Sequence, residues 1–429
     1  MMKPDRKLGP QGKTIDALEF EHINPTGFGH AVPLWFFPAR DCGVARIYLY
    51  YRGGIAHHGE GLLHRAMHQL MLSGTADHPA ETIHAALESL GASADGSADL
   101  LYCQHTISAR SSRLAEAFRM FLQFRNGAVF PHNELDVYRA AAASELKSRM
   151  ATPRYWSYRK LMEQMVGDGH YQGQFTNLED YGALTPALLR AAAVEVWNPA
   201  NLFVVICGEL NEPQLADIQS VWQEHGAAFE APRRDGKSWI HAAHQPVHVE
   251  HAVANTNQVS IYFGKSQLDI PDSGYYKMLV LNTLLGGFFG SRLMQNIREQ
   301  KGLTYGIHSS LLKPGREYQW LVSSDVKAEN KALVIEEIKR EMQVLRDVVV
   351  SRDELAKVQQ YLCGNIKMGF DGIFSMAARV RELQVHGRDY SFMDSALREI
   401  RAVTPEEIQS LAYNFLEPDS FYIASAGAV

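Results

Sequence analysis

Apolar and polar positions along this chain recur with two periods, and each change of period marks the edge of a predicted element. His30–Phe37 is mostly apolar, and Val44–Tyr51 mixes β-branched and aromatic residues ahead of Gly53-Gly54, so both predict strands. Gly61–Gln69 follows with helical spacing, and Ala80–Leu90 is an amphipathic helix that ends at Gly91. Ala92–Leu101 is small and polar, after which Tyr102–Ser108 alternates as a strand does. Residues 110–126, 134–149 and 157–167 predict helices. Thr185 then caps a helix whose first position is Pro186, Asn198-Pro199 ends it, and Asn201–Gly208 reads as a buried strand.

This last unit recurs near the C-terminus. Thr404 caps a helix opening on Pro405, with Glu407 placed to complete a capping box; Glu417-Pro418 ends it, and Phe421–Gly427 is the strand. Pro186 to Pro199 is the same distance as Pro405 to Pro418, and Pro199 to Gly208 the same as Pro418 to Gly427. Upstream, Glu134-Leu135 opens one long helix, and Glu354-Leu355, behind a Ser351 cap, opens its counterpart. Matched landmarks at a nearly constant offset predict a duplicated domain. The copies meet across roughly 215–250, where Pro232-Arg-Arg-Asp-Gly-Lys, several histidines and Pro246 predict a surface linker. The division is residues 1–220, a linker at 221–245 and residues 246–429. The fold class is α+β: two duplicated domains, each an antiparallel β-sheet covered on one side by helices.

Composition narrows the possibilities only moderately. A chain of 429 residues exceeds the usual single core, and 46% hydrophobic with 21% charged residues is ordinary for a globular protein. A net charge of −6 points away from nucleic acid. Cys42, Cys103, Cys207 and Cys363 are scattered and read as small core residues, neither a metal set nor a disulfide framework. No apolar run is long enough to span a membrane. The start, Met-Met-Lys-Pro-Asp-Arg-Lys-Leu-Gly-Pro, lacks an apolar signal-peptide region, so the expected location is cytoplasmic, or periplasmic if a signal peptide has been removed.

Candidate chemistry begins on the Gly61 helix. His64 and His68 lie one turn apart with their imidazoles on one side, which is half of a zinc site. Alone, such a pair is by default two partly buried structural histidines. A hydrolytic centre also needs a base beside the metal-bound water, and the obvious slot holds Met67, which takes no proton. Glu145, midway along a strong helix, would join the pair if the two helices pack together. A second feature is Gly286–Ser310. Gly286, Gly287 and Gly290 lead into a helix, Gly302 breaks it, and Leu303–Ser309 starts a strand. Read by itself, Arg298 there is a solvated or salt-bridged helix residue.

Taken together, these motifs resemble the M16 group of zinc peptidases (pitrilysin, insulinase, mitochondrial processing peptidase), whose signature is an inverted His-x-x-Glu-His with a distant glutamate. His64, His68 and Glu145 match that family's three metal ligands, spacing included, and the Gly74-Thr75 ending fits. Met67 falls on the catalytic glutamate, and Tyr138 on a second, assisting glutamate. Gly286–Ser310 resembles the signature of the family's C-terminal half, in which an arginine and a tyrosine bind the substrate backbone and help stabilise the oxyanion. Arg298 and Tyr305 match that pair; Arg292 belongs to the same signature in a structural capacity. The resemblance covers nearly the whole chain and implies the LuxS/MPP-like metallohydrolase fold. It also implies that the region around Ala92–Ser108 holds the edge strand on which an extended peptide pairs.

What the resemblance implies about function is uneven across the two halves. Some members are half-length chains that assemble in pairs, one supplying zinc and base, the other the arginine and tyrosine. The expected function is therefore a catalytically incomplete subunit of a heterodimeric zinc metallopeptidase. Arg298 and Tyr305 would serve in trans for a homologous partner with an intact His-x-x-Glu-His motif and a peptide substrate. Zinc is expected chiefly in that partner, although His64, His68 and Glu145 remain a degenerate site for it. One alternative is a self-sufficient weak peptidase using another base, with Glu60, His57 and His58 nearby. The other is a non-enzymatic structural or peptide-binding homologue.

Overall fold

The computed structural model describes residues 22–29, 32–226, 239, 245–315 and 317–428. Two sheets organise them. The first takes β1 (Thr26–Gly27), β2 (Pro33–Pro38), β3 (Val44–Arg52), β4 (Ser93–Ala98), β5 (Tyr102–Arg110) and β6 (Leu202–Gly208) in the order β1-β2-β6-β3-β5-β4. The second takes β7 (His248–Ala252), β8 (Gln258–Leu268), β9 (Thr304–Leu312), β10 (Tyr318–Lys327) and β11 (Tyr422–Gly427) in the order β7-β11-β8-β10-β9. Apart from the short β1, the two orders are the same permutation. In each half the last strand inserts between the first two and lies parallel to the first, so the sheets are antiparallel except for one pair apiece.

That insertion explains the unbroken apolar run of β6, which is buried along its whole length. On β3, Ile47, Leu49 and Tyr51 face one core with Phe118, Phe121 and Trp222. Tyr48 and Tyr50 face the opposite way, joining Trp35, Phe37, Phe203 and Val205. The element covering that second face is the helix Ile373–His386, through Met376, Ala377 and Val380, and it comes from the other half of the chain. The reverse also holds. The helix Pro153–Met165 lies on β8 and β11 of the second sheet, burying Leu161, Met162 and Met165 against Leu321 and Ala424. A Cβ on Gly264 would come within 2.8 Å of Leu161 Cδ2, so this helix can sit close only over glycine. Each sheet thus has its second face covered by a helix lent by the other half. Covering helices on one side only, as the repeat predicted, is not what the chain does. Each fully buried aliphatic chain contributes roughly 1.5–3 kcal/mol, so the exchange welds the halves together.

Local signals place most elements. Thr185 accepts from Leu188 N, Ser351 from Glu354 N, and Thr404 with Glu407 closes a capping box. The region expected to be linker differs at its ends. Asn211 opens a capped helix, Glu212–His225, and β7 begins at His248; residues 227–238 and 240–244 lie outside the described residues, as do His30, Ala31 and the N-terminal start. Within that stretch Trp239 donates its indole N–H to Ala56 O at 2.5 Å. Three cysteines are buried as expected, but Cys42 is exposed, because it sits in the turn before β3. Among the described residues no helix is long and apolar enough to cross a membrane.

Candidate functional site

The histidine helix, Gly61–Gln69, packs against the edge strand β4, and its buried side faces the first core. A Cβ at Gly96 of β4 would fall 2.9 Å from Met71 Sδ and 3.0 Å from His68 O, so glycine lets strand and helix touch. His64 is 4% exposed, His68 1% and Met67 0%. His68 Nδ1 stands 3.0 Å from Nε2 of His105, a buried residue of β5. Tyr51, Phe121 and Trp197 surround the His105 ring. Burial, and then His64, Arg125 and His58, push the His68 imidazole down to about 3; burial, then His68 and Arg125, hold His105 well below its usual value. Both rings are therefore neutral, one donating N–H to the other. Arg125, itself sealed in, donates to Tyr51 Oη at 2.8 Å and lies over the Trp197 ring.

Among the described residues, His64, His68 and Glu145 are not gathered into a three-ligand group. His68 Nε2 is buried without a hydrogen-bond partner, which leaves one donor in place, but among the described residues no carboxylate completes a metal group with it. Glu145 is exposed on the helix His132–Met150, and among the described residues no group of three His, Cys, Asp or Glu side chains can hold a metal ion. The charge close to His68 is that of Arg125, the wrong sign for a dication. Tyr138 is no substitute acid, because burial and then Tyr181 push its phenol up to about 12. Met67 belongs to the same apolar core as Ala66, Leu70 and Phe118 and has no exposure. Of the alternative bases, His58 is engaged by Glu195 at 3.2 Å, and Glu60 lies exposed before the helix.

The second candidate region is arranged differently. The helix starting at Tyr275 loosens into wider, π-type turns at Thr283–Gly287, and after a break at Phe288 a second helical segment is π-type over Met294–Gln300, a departure that often accompanies functional sites. Most polar side chains of the second segment are consumed by the scaffold. Arg292 pairs with both carboxylate oxygens of Glu354, at 2.8 and 3.0 Å. Asn296 donates to Glu337 and Glu341, and Lys301 pairs with Glu337 at 2.6 Å. Arg298 instead pairs, among the described residues, with its neighbour Glu299 at 2.9 Å, and lies 4.8 Å over the ring of Phe289. Its carbonyl accepts from Gly302 N, and Ile297 O from Leu303 N, so the turn bearing Arg298 is tied to the start of β9.

Tyr305, on β9, is 93% exposed. The β9–β10 register slips between Ser324 and Val326, leaving an extra residue beside Tyr305. Such a bulge re-aims the side chain next to it. Hydroxyls hold it in place: Thr304 accepts from Gly306 N at 3.1 Å, and Ser324 donates to Gly306 O at 3.0 Å. Deeper along β9, Trp320 donates to Ser309 Oγ, which donates to Asn282 Oδ1, both at 2.7 Å. The strand bearing Tyr305 is thus pinned from within. Since β9 is the outermost strand of its sheet, one side of its backbone has no strand neighbour among the described residues.

The sequence therefore placed His64 and His68 together but not Glu145 with them. It also missed two participants. His105 had a signal: it shares the parity of Cys103 and Ile107 on an alternating strand, a polar residue at a core position. Phe289 had one too, as one of two adjacent phenylalanines inside a glycine-rich turn.

Residues 183–362 match the family described as the peptidase M16 inactive domain. An uncharacterized zinc protease of Streptomyces coelicolor is 22% identical over 364 residues, covering 83% of this chain and 78% of that protein. The crystal structure of a peptidase M16 inactive domain from Pseudomonas fluorescens superposes with a TM-score of 0.83 at 18% identity, over 95% of this chain and 98% of that one. The periplasmic protease PqqL of Escherichia coli gives a TM-score of 0.78 at 16% identity; all of this chain aligns, but only 49% of that one. The structural likenesses establish a shared fold.

Proposed function

We propose that this chain, an M16 peptidase homologue whose residues 183–362 are an M16 inactive domain, is the non-zinc subunit of a heterodimeric metallopeptidase. The observation that carries the reading is the contrast between its halves. Where a base is needed, Met67 is sealed in an apolar core; where a substrate would be held, Arg298 and Tyr305 stand free of the scaffold's ion pairs, with Tyr305 fully presented. A homologous subunit with an intact His-x-x-Glu-His motif would supply the metal ion and the base that activate water. The role of this chain is to bind an extended peptide and to orient it. The Arg298 guanidinium and the Tyr305 hydroxyl both donate, so both suit a peptide carbonyl and the negative oxygen that forms when it is attacked. Among the described residues Arg298 is neutralised by one exposed glutamate, Glu299, which a carbonyl or oxyanion can displace.

The test is substitution in the assembled pair. Arg298→Ala should lower kcat/KM by about 10²–10³, as loss of an oxyanion donor does. Tyr305→Phe should lower it less, and neither should change assembly. Unchanged cleavage by the Arg298→Ala pair would refute the reading.

A further inference from the structure

We infer that Phe289, with Arg298, forms a subsite for a bulky apolar side chain of an extended peptide. This rests on the peptide-holding role proposed above for Arg298 and Tyr305, and it adds what the site selects.

Phe288 and Phe289 occupy one glycine-bounded turn and are treated oppositely. Phe288 is half-buried, its ring centroid 4.9 Å from that of Tyr361, whereas Phe289 is 60% exposed. A single exposed phenylalanine is common and needs no explanation. This one differs in its company. The Arg298 guanidinium lies 4.8 Å from its centroid, so a cation that the rest of the segment's ion pairs leave out is parked on an aromatic face. The turn preceding Phe289 and the turn carrying Arg298 both pack on β9. Backbone bonds from Gly302 and Leu303 to the Arg298 turn fix it at the end of that strand where Tyr305 projects. One end of an unpaired sheet edge therefore gathers a backbone-binding cation and two exposed aromatics.

An extended peptide is the ligand that uses all three. Its carbonyls suit Arg298 and Tyr305, its backbone suits an edge strand, and an apolar side chain covers the ring that Arg298 leaves open. Single aromatic contacts of this kind are worth about 2- to 10-fold in affinity.

The experiment uses the full chain alone, with no partner, and fluorescence anisotropy. The probes are two fluorescein-labelled unstructured peptides of one length and charge, one with leucine and phenylalanine at alternate positions, the other with serine there. Wild type should prefer the apolar peptide by about 5- to 10-fold. Phe289→Ala should erase the preference between the two peptides, and Phe289→Leu should keep part of it. Wild type without a preference, or Phe289→Ala retaining it, overturns the inference. Because no cleavage is read, a preference that depends on Phe289 supports this site even where partner-dependent hydrolysis is absent, an outcome that would count only against the peptidase reading.

Discussion

His68 Nδ1 and His105 Nε2 are 3.0 Å apart, and both rings are sealed from solvent. The bond satisfies two buried polar atoms at once and makes His105 a structural keystone of the first core. His105→Ala should therefore cost about 2–4 kcal/mol, from the cavity plus the imidazole left unpaired. Urea unfolding measures it; a loss under about 0.5 kcal/mol would mean that the pair carries little of the core's stability.

Restoring the missing acid should not restore a peptidase. Met67→Glu puts a carboxyl where Ala66, Leu70 and Phe118 pack, at a position with no exposure. Burying it without partners should destabilise the chain by about 3 kcal/mol or more. The isolated variant should cleave no peptide, since no carboxylate completes the histidine pair. Calorimetry together with a fluorogenic peptide assay tests both halves of this statement.

Glu337 anchors the segment that carries Arg298. Lys301, and then Asn296, hold its carboxyl below the ordinary carboxylate range. A folded-state value below the unfolded one means stability that is present above the unfolded value and lost as the pH falls through the folded one. Glu337→Gln should therefore lower the urea midpoint at pH 7, and the gap to wild type should narrow below about pH 4.3. A gap that is constant from pH 7 to pH 3 would show that the carboxylate's charge is not what matters.

The helix Pro153–Met165 is the first half's contribution to the second sheet. Leu161→Ala should cost about 2–5 kcal/mol. If the exchanged helices couple the halves, it should also split a single unfolding transition into two. A single, unshifted transition would contradict that coupling.

Much of this was legible from short-range patterns. Caps at Thr185, Ser351 and Thr404 announced their helices because capping is local chemistry, and the matched proline and glycine positions announced the repeated units. The buried fate of His64 and His68 followed from helical spacing. What stayed hidden depends on contacts between distant segments. The parallel β2–β6 and β7–β11 pairs, and the exchange of the helices at 153–165 and 373–386, join residues that no local period relates. Glu145 has the right spacing for a ligand yet is exposed, because its helix turns Leu135, Tyr138 and Leu146 inward instead. Cys42 was read as core, although it belongs to a turn. Tyr305 gave a motif position but not its bulge, which arises from a register slip against β10.

The most direct test of the central claim is the peptide-cleavage rate and zinc content of the isolated chain, measured again after mixing with a homologous subunit that carries an intact His-x-x-Glu-His motif. The isolated chain should be inert with far less than stoichiometric zinc, the mixture should cleave unstructured peptides, and Arg298→Ala should abolish the gain. A chain that alone holds one zinc ion and cleaves well would contradict that claim, and Met67 would then have to be reconsidered as compatible with catalysis.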